Sequence, residues 1–172
     1  MQLYSTNNKQ LRVSFKEAVF NSMPQDKGLY MPVQIPRLDQ VFIDNIEQYT
    51  LPEIAYKIAS TLLGDEIPEN ELKALIDDAV NFDAPVVQLD QHTYVLELFH
   101  GPSLAFKDFG ARFMSRVMAY FLKEGEQLLD VLVATSGDTG GAVASGFLDV
   151  EGVDVIILYP SGKVSDIQER QL

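Results

Sequence analysis

The first half of the chain alternates short helical patterns with proline-containing connections. Ser14 and Thr50 are each followed three residues later by glutamate, and this capping-box spacing predicts the start of a helix at both places. From Glu69 onward, apolar residues recur at the i, i+3, i+4 and i+7 positions of one helix face, which predicts a third helix. The intervening segment "KGLYMPVQIPRL" contains Pro32 and Pro36. We interpret it as an extended connection rather than a central strand, because proline cannot donate to a strand ladder.

The pattern of the second half is that of strands alternating with helices. "PVVQLDQHTYVLELF" predicts two strands joined by a tight turn around Asp90 and Gln91, and a helix is predicted from about Ser103 to Lys123. The apolar runs "LLDVLVA" and "VDVIILY" then flank the helical segment "GAVASGFL". The order strand, helix, strand is typical of a βαβ unit, whose parallel strands are buried on both faces.

These patterns place the chain in the α/β class with two domains. We expect a helical amino-terminal domain over residues 1–84 and the first part of a parallel-sheet domain over residues 85–172. Ser165 and Gln168 have capping-box spacing again, so another helix begins near the last residue. Two parallel strands form only a fragment of a sheet. We therefore expect the chain to be truncated, the front part of a longer protein.

Composition removes several classes of function. With 25 acidic and 13 basic residues the formal charge is −12, which argues against a nucleic-acid partner. The chain has no cysteine, which excludes disulfides, thiolate metal sites and a cysteine nucleophile and favours a cytoplasmic location. Neither a signal peptide nor an apolar run of membrane-spanning length is present in the sequence, so we expect no membrane partner. His92 and His100 are the only histidines, and we expect no metal site.

One lysine, in the stretch "HGPSLAFKDFGARFM", has an unusual position on its predicted helix. The apolar face comprises Phe106, Phe109, Phe113, Val117, Tyr120 and Phe121, and the polar face comprises Asp108, Arg112, Ser115, Arg116 and Lys123, with an expected ion pair between Asp108 and Arg112. Lys107 belongs to neither face and precedes Ala111, Met114 and Met118 on a stripe of its own.

The place of Lys107 favours its neutral form. If Ser103 is the N-cap, the lysine lies in the first turn, where the helix dipole disfavours a cation, and its apolar stripe would desolvate it. A neutral amine is the form that attacks a carbonyl group. The alternative remains open that its stem packs on Met114 while the ammonium group reaches water.

A glycine-rich turn in "ATSGDTGGAVASGF" forms the second candidate site. Between the predicted strand and helix, the backbone N–H groups of Ser136 to Gly140 would point into one space and bind an anion. A carboxylate or monophosphate fits better than a polyphosphate, because Asp138 would repel the latter. The nucleotide-binding patterns G-x-G-x-x-G and P-loop are not matched. In the alternative interpretation, Asp138 and Thr139 merely cap the helix.

Together the two stretches resemble the threonine synthase family of pyridoxal-phosphate (PLP) enzymes, which belongs to the fold group of the tryptophan synthase β chain, fold type II. "LYSTNN…VSFKEAV" and "GLYMP…IP" are similar to that family's amino-terminal domain, so the resemblance covers nearly the whole chain. It implies the conversion of O-phospho-L-homoserine and water to L-threonine and phosphate, the last step of threonine biosynthesis. In this family the loop that holds the cofactor phosphate comes well beyond position 172, so we expect the chain by itself to be an inactive fragment.

The resemblance also implies roles for single residues. Lys107 would form the Schiff base with PLP and later move protons, and Phe106 and Asp138 would contact the cofactor. Ser136, Gly137, Thr139 and Gly140 would bind the substrate. Family members usually have threonine where Ser103 stands, which keeps the hydroxyl group.

Two other functions remain open. One is another PLP-dependent lyase of the same fold group, similar to threonine dehydratase, and the other is a non-catalytic anion-binding module. The sequence does not specify the oligomeric state.

Overall fold

The chain folds into two compact units. The structure, a computed structural model, describes residues 1–123 and 128–171. One unit comprises Met1–Ile76 and the other Asp77–Leu172. Among the described residues, no helix has the length and apolar character needed to cross a membrane. The proposed domain boundary after residue 84 stays a prediction.

The first unit combines a small antiparallel sheet with short helices. Its strands are β1 (Gln2–Ser5), β2 (Val13–Ser14) and β3 (Tyr30–Pro32), and the helices that begin in it are α1 (Phe15–Asn21), α2 (Gln40–Asp44), α3 (Leu51–Leu63) and α4 (Glu69–Ala79), with a 3-10 turn at Ile46–Gln48. The strand order is β2-β1-β3, so the first strand in sequence lies at the centre.

The three helix starts predicted in this half are confirmed. The Glu17 carboxylate accepts hydrogen bonds from the backbone N–H (2.7 Å) and the hydroxyl (2.8 Å) of Ser14, and the Ser14 Oγ accepts from the Glu17 N–H. The Glu53 carboxylate accepts in the same way from Thr50 at 2.8 and 2.7 Å. The predicted apolar face of α4, formed by Leu72, Leu75, Ile76 and Ala79, is buried.

The interpretation of the proline-containing segment is wrong in one respect. Tyr30–Pro32 is a strand, paired antiparallel with β1 through Leu3 opposite Pro32 and Ser5 opposite Tyr30. It lies at the edge of the sheet, where a residue without an N–H group is tolerated. The sequence also did not predict β1 itself.

The second unit contains a hairpin followed by a βαβ unit, as predicted. Its elements are β4 (Val86–Gln88), β5 (Tyr94–Leu96), α5 (Lys107–Leu122), β6 (Leu129–Ala134), α6 (Asp138–Phe147), β7 (Val153–Leu158) and α7 (Asp166–Glu169). Strands β6 and β7 pair in parallel from Leu129 opposite Val153 to Ala134 opposite Leu158. The α/β class and the start of a parallel sheet are therefore confirmed.

The two strands of this sheet are not buried on both faces. Burial alternates along both strands. On the more exposed face, Leu132, Ile156 and Leu158 retain 65%, 44% and 56% of their accessible surface. The prediction of strands covered on both sides is thus wrong for the described chain, in which only one face of the pair is substantially covered.

Helix α5 begins later than predicted, and three residues of its predicted polar face are buried. The helix starts at Lys107, with Phe106 rather than Ser103 at the N-cap position. Asp108 and Ser115 are fully buried and Arg112 is only 8% exposed. The predicted ion pair between Asp108 and Arg112 is replaced by bonds to other partners. The Arg112 Nε donates to the Ala79 carbonyl (3.2 Å) and Nη2 to the Asp78 carbonyl (2.6 Å).

Candidate functional site

The predicted lysine and the glycine-rich turn lie on the wall of one pocket. Its volume is about 430 Å³, and its lining residues are Phe106, Lys107, Ala134, Thr135, Ser136, Gly137, Asp138, Thr139 and Gln168. The start of α5, the carboxyl end of β6, the start of α6 and helix α7 supply these residues. Two stretches nearly 30 residues apart in sequence are thereby brought together.

Lys107 is exposed rather than desolvated. Its Nζ lies 4.5 Å from the centre of the Phe106 ring, a distance suited to a cation–π interaction of the ammonium form. On its other side, an apolar pocket of about 630 Å³ is lined by Leu98, Phe106, Phe109, Met114 and Val143 among others. The burial that would favour a neutral amine is therefore not found in the described chain, although the amine does face a pocket.

The neighbour of the lysine anchors the loop in front of α5. The Asp108 carboxylate accepts from the Ser103 N–H (2.9 Å) and from the Ser103 hydroxyl (2.6 Å). A Cβ atom on Gly101 would lie 2.4 Å from Asp108 Oδ2, so only glycine leaves room for this carboxylate. Leu104 completes the turn with a left-handed φ of 59°. Asp108 thus fixes the approach to the first residue of the helix, which is Lys107.

Sequence reasoning missed this role of Asp108. A charged residue at a polar helix position is normally solvated. A glycine and a hydroxyl residue five to seven positions upstream were the available signals, but they indicate a turn and do not reveal its partner.

Thr135 organises the glycine-rich turn and was also missed. Its Oγ1 accepts from the N–H groups of Gly137 and Gly140, both at 3.1 Å, and donates to the Gly137 carbonyl at 3.1 Å. Two of the amides that we expected to bind an anion are therefore used inside the turn. Gly140 is buried and does not line the pocket, so the structure does not bring this predicted substrate residue to it.

The N–H groups that are not used inside the turn form a smaller anion site than the sequence predicts. Asp138 and Thr139 are the first residues of α6, and no protein acceptor is found for their N–H groups within residues 1–123 and 128–171. Ser136 and Thr139, which both carry hydroxyl groups, line the same pocket. The capping interpretation does not apply, because Gly137 occupies the N-cap position without a side-chain bond from Asp138 or Thr139. An anion at this helix start would receive N–H donors and the favourable end of the helix dipole.

Neither histidine belongs to this site. The His100 Nε2 lies 2.7 Å from Glu97 Oε2, and its ring stacks on Phe99 at 4.7 Å. Among the described residues, no group of three or more potential metal ligands occurs.

Comparison with known proteins covers the whole chain. Residues 2–80 match the family model "Threonine synthase N terminus". Threonine synthase of Haemophilus influenzae is 42% identical over 170 residues, which are 99% of this chain and 39% of that protein. The chain therefore spans about two fifths of the length of the curated relatives that it matches.

Solved structures agree with the sequence comparison. The crystal structure of threonine synthase from Escherichia coli superimposes with a TM-score of 0.91 at 40% identity, over 99% of this chain and 40% of that one. The PLP-bound threonine synthase of Brucella melitensis gives a TM-score of 0.92 at 35% identity, over 99% and 38%. Since the likeness extends over 99% of the chain in both sequence and fold, the chain matches the amino-terminal portion of threonine synthases.

Proposed function

We propose that the complete protein is a threonine synthase, a PLP-dependent lyase that converts O-phospho-L-homoserine and water to L-threonine and phosphate. The observation that supports this best is the single pocket shared by Lys107 and the turn from Ser136 to Thr139. A primary amine lies there beside unpaired N–H donors at a helix start. Such a site suits a substrate that carries a carboxylate next to its reacting carbon atoms.

The residues of the pocket fit PLP. This cofactor is an aldehyde, and the exposed amine of Lys107 is the kind of group that holds it covalently. The Phe106 ring and the Asp138 carboxylate stand on the same wall and would contact it. When bound, PLP supplies an electron sink for carbanion chemistry at the substrate.

The chain's own residues perform binding and proton transfer in this proposal. Once the substrate amine has displaced it from the cofactor, the Lys107 amine would take a proton from the substrate and return one later, as a general base and acid. The N–H groups of Asp138 and Thr139, with the hydroxyl groups of Ser136 and Thr139, hold the substrate carboxylate. A side chain at Gly137 would meet the Gln168 amide, and Gly140 holds the turn through the bond from its N–H group to Thr135 Oγ1.

We also infer that the 172-residue chain alone is inactive, because its relatives are about two and a half times as long and the loop expected to hold the cofactor phosphate is not among its residues. A cytoplasmic location agrees with the absence of cysteine.

Chemical trapping tests the cofactor assignment. The complete protein would be incubated with PLP, reduced with borohydride and mapped by peptide mass spectrometry. We expect the phosphopyridoxyl group on Lys107, and we expect Lys107→Arg to abolish it while Lys123→Arg, on an exposed lysine at the other end of α5, leaves it intact. A label on a different residue, or no label, would contradict the proposal.

Substrate assays separate the alternatives. A threonine synthase releases phosphate from O-phospho-L-homoserine, whereas an enzyme similar to threonine dehydratase forms an oxo acid from threonine. Failure of both assays, with no PLP bound, would favour the non-catalytic anion-binding module.

A further inference from the structure

Gln168 is the one lining residue of the pocket that comes from α7, and its side chain reaches the glycine-rich turn. Its Nε2 donates to Asp138 Oδ1 at 3.1 Å. A Cβ atom on Gly137 would lie 2.7 Å from the same Nε2, so the amide group occupies the space that glycine leaves open. The bond spans 30 positions of the sequence and joins two different helix starts.

The orientation of this amide group is fixed from the other side. The Ser165 hydroxyl donates to Gln168 Oε1 at 3.0 Å, and the Ser165 Oγ accepts from the Gln168 backbone N–H at 3.3 Å. With the carbonyl oxygen held by a donor, the NH₂ end of the amide faces Asp138. The capping residue of α7 therefore determines which end of Gln168 meets the carboxylate.

Helix α7 is itself tied to the unit that carries the pocket. The Tyr159 hydroxyl, just beyond β7, donates to Glu169 Oε1 at 2.9 Å. Gln171 packs near α6, since a Cβ atom on Gly141 would lie 3.6 Å from Gln171 Cβ. Gln168 thus projects from a segment held at two further points.

We propose that Gln168 is a positioning residue, which holds Asp138 by one carboxylate oxygen so that the other, Oδ2, is presented to the ligand in the pocket. The inference rests on the proposed function, because the ligand addressed is the PLP that Lys107 would hold. A carboxylate at the exposed start of a helix has free rotamers, and a hydrogen bond from a fixed amide restricts them.

A double-mutant cycle tests the inference on the complete protein loaded with PLP. Gln168→Leu removes the donor while preserving most of the volume, and it is expected to weaken PLP binding by roughly fivefold and to move the absorption maximum of the bound cofactor. The matched control is Gln171→Leu, which makes the same change on the same segment, keeps the Cβ atom that lies near Gly141, and is expected to leave both quantities unaltered.

The cycle is closed with Asp138→Ala. In that background Gln168→Leu is expected to have less than about a twofold further effect on the dissociation constant, because its partner is already gone. An equal effect in both backgrounds would show that Gln168 acts by another route and would overturn the inference. The inference would also be overturned if Gln168→Leu kept the wild-type absorption maximum and PLP affinity while Lys107 still carried the phosphopyridoxyl label. That outcome would leave the proposed function standing.

A measurement without cofactor covers the case in which Gln168→Leu does not fold. In ¹⁵N-labelled protein, the side-chain NH₂ signals of Gln168 would be assigned through Gln168→Glu, which removes them. We expect Asp138→Ala to shift these signals, whereas Asp149→Ala, on an exposed residue after α6, should not. Signals at the position of a solvated amide in the unaltered protein would overturn the contact and the inference with it.

Discussion

Asp108 is a carboxylate with no accessible surface, and within the described chain both hydrogen bonds to its oxygens come from one serine. Burial of such a group is tolerated when each oxygen accepts a hydrogen bond. Here the donors come from the loop that precedes the helix, so the bonds order the segment from Gly101 to Ser103. The residue next to the proposed cofactor lysine is therefore structural, and its effect on Lys107 is one of placement.

Removal of the Asp108 carboxylate is predicted to destabilise the fold. Asp108→Ala leaves the Ser103 N–H without its acceptor, and we expect the free energy of unfolding to fall by about 1–3 kcal/mol. Ser103→Ala leaves the buried Asp108 Oδ1 without its donor while the backbone bond remains, so we expect a loss of the same size, about 1–3 kcal/mol. Urea denaturation of the two variants measures both losses. Little or no loss in either variant would contradict the structural role of Asp108.

At the scale of the element, helix starts in this chain are determined by two different devices. Helices α1 and α3 begin at capping boxes, in which the partner is always three residues away. Helix α5 begins at Lys107 without a side-chain cap, after a loop that Asp108 holds from within the helix. At the carboxyl end of α4, the last carbonyl groups accept hydrogen bonds from Arg112 of α5. Sequence spacing reveals a capping box, but it does not reveal a loop that is held by a residue within the helix.

The capping boxes are predicted to make stability depend on pH in the acidic range. The hydrogen bonds from Thr50 hold the pKa of the Glu53 carboxyl below its usual value of 4.5. Its contribution is therefore fully present above pH 4.5 and is lost as the pH falls through the lowered pKa of the folded state. Glu53→Gln should be less stable than the parent chain at pH 7, and the difference should vanish in more acidic solution.

Urea midpoints at a series of pH values check this prediction. Glu71→Gln provides the control, because Glu71 is an exposed acid in the first turn of α4 and takes part in no capping box. A stability difference between the parent and Glu53→Gln that stays constant from neutral to strongly acidic pH would contradict the prediction.

At the scale of the whole molecule, the most unusual feature is the amount of apolar surface on the strands of the second unit. Leu132, Ile156 and Leu158 are exposed on the β6-β7 pair, and all six residues of the β4-β5 hairpin are exposed as well. Parallel sheets are normally covered on both faces, and an isolated hairpin is marginal in water. This surface agrees with a chain that spans 39% of the length of its relatives.

The chain on its own is therefore predicted to bind the hydrophobic dye ANS while folded. Dye fluorescence should fall in the double variant Leu132→Thr, Ile156→Thr, because both side chains point to the exposed face of the sheet. Circular dichroism would verify that both proteins keep their secondary structure. Absence of dye binding by the folded parent chain would show that the face is not accessible.

Sequence by itself determined the features whose cause is local. Capping boxes act over three residues, amphipathic helices over one or two turns, and the hairpin turn over four residues, so α1, α3, α4 and the hairpin were predictable. The βαβ unit was predictable from the order of its apolar runs and helical segment along the chain. The resemblance of two short motifs to one family also predicts that Lys107 and the turn from Ser136 to Gly140 form one site, although Gly140 does not line the pocket. Their roles in chemistry stay predictions.

Only the tertiary structure decided the features whose cause is a distant partner. The sequence places Asp108 and Arg112 on a polar helix face, because nothing in their spacing indicates the serine and the carbonyl groups that satisfy them. The spacing of Gln168 predicts a capping box with Ser165, and its contact with Asp138 depends on how α7 returns to the turn. Hydrogen bonds between residues far apart in sequence produce no periodic sequence pattern, so only some of the residues that line the pocket could be predicted from the sequence.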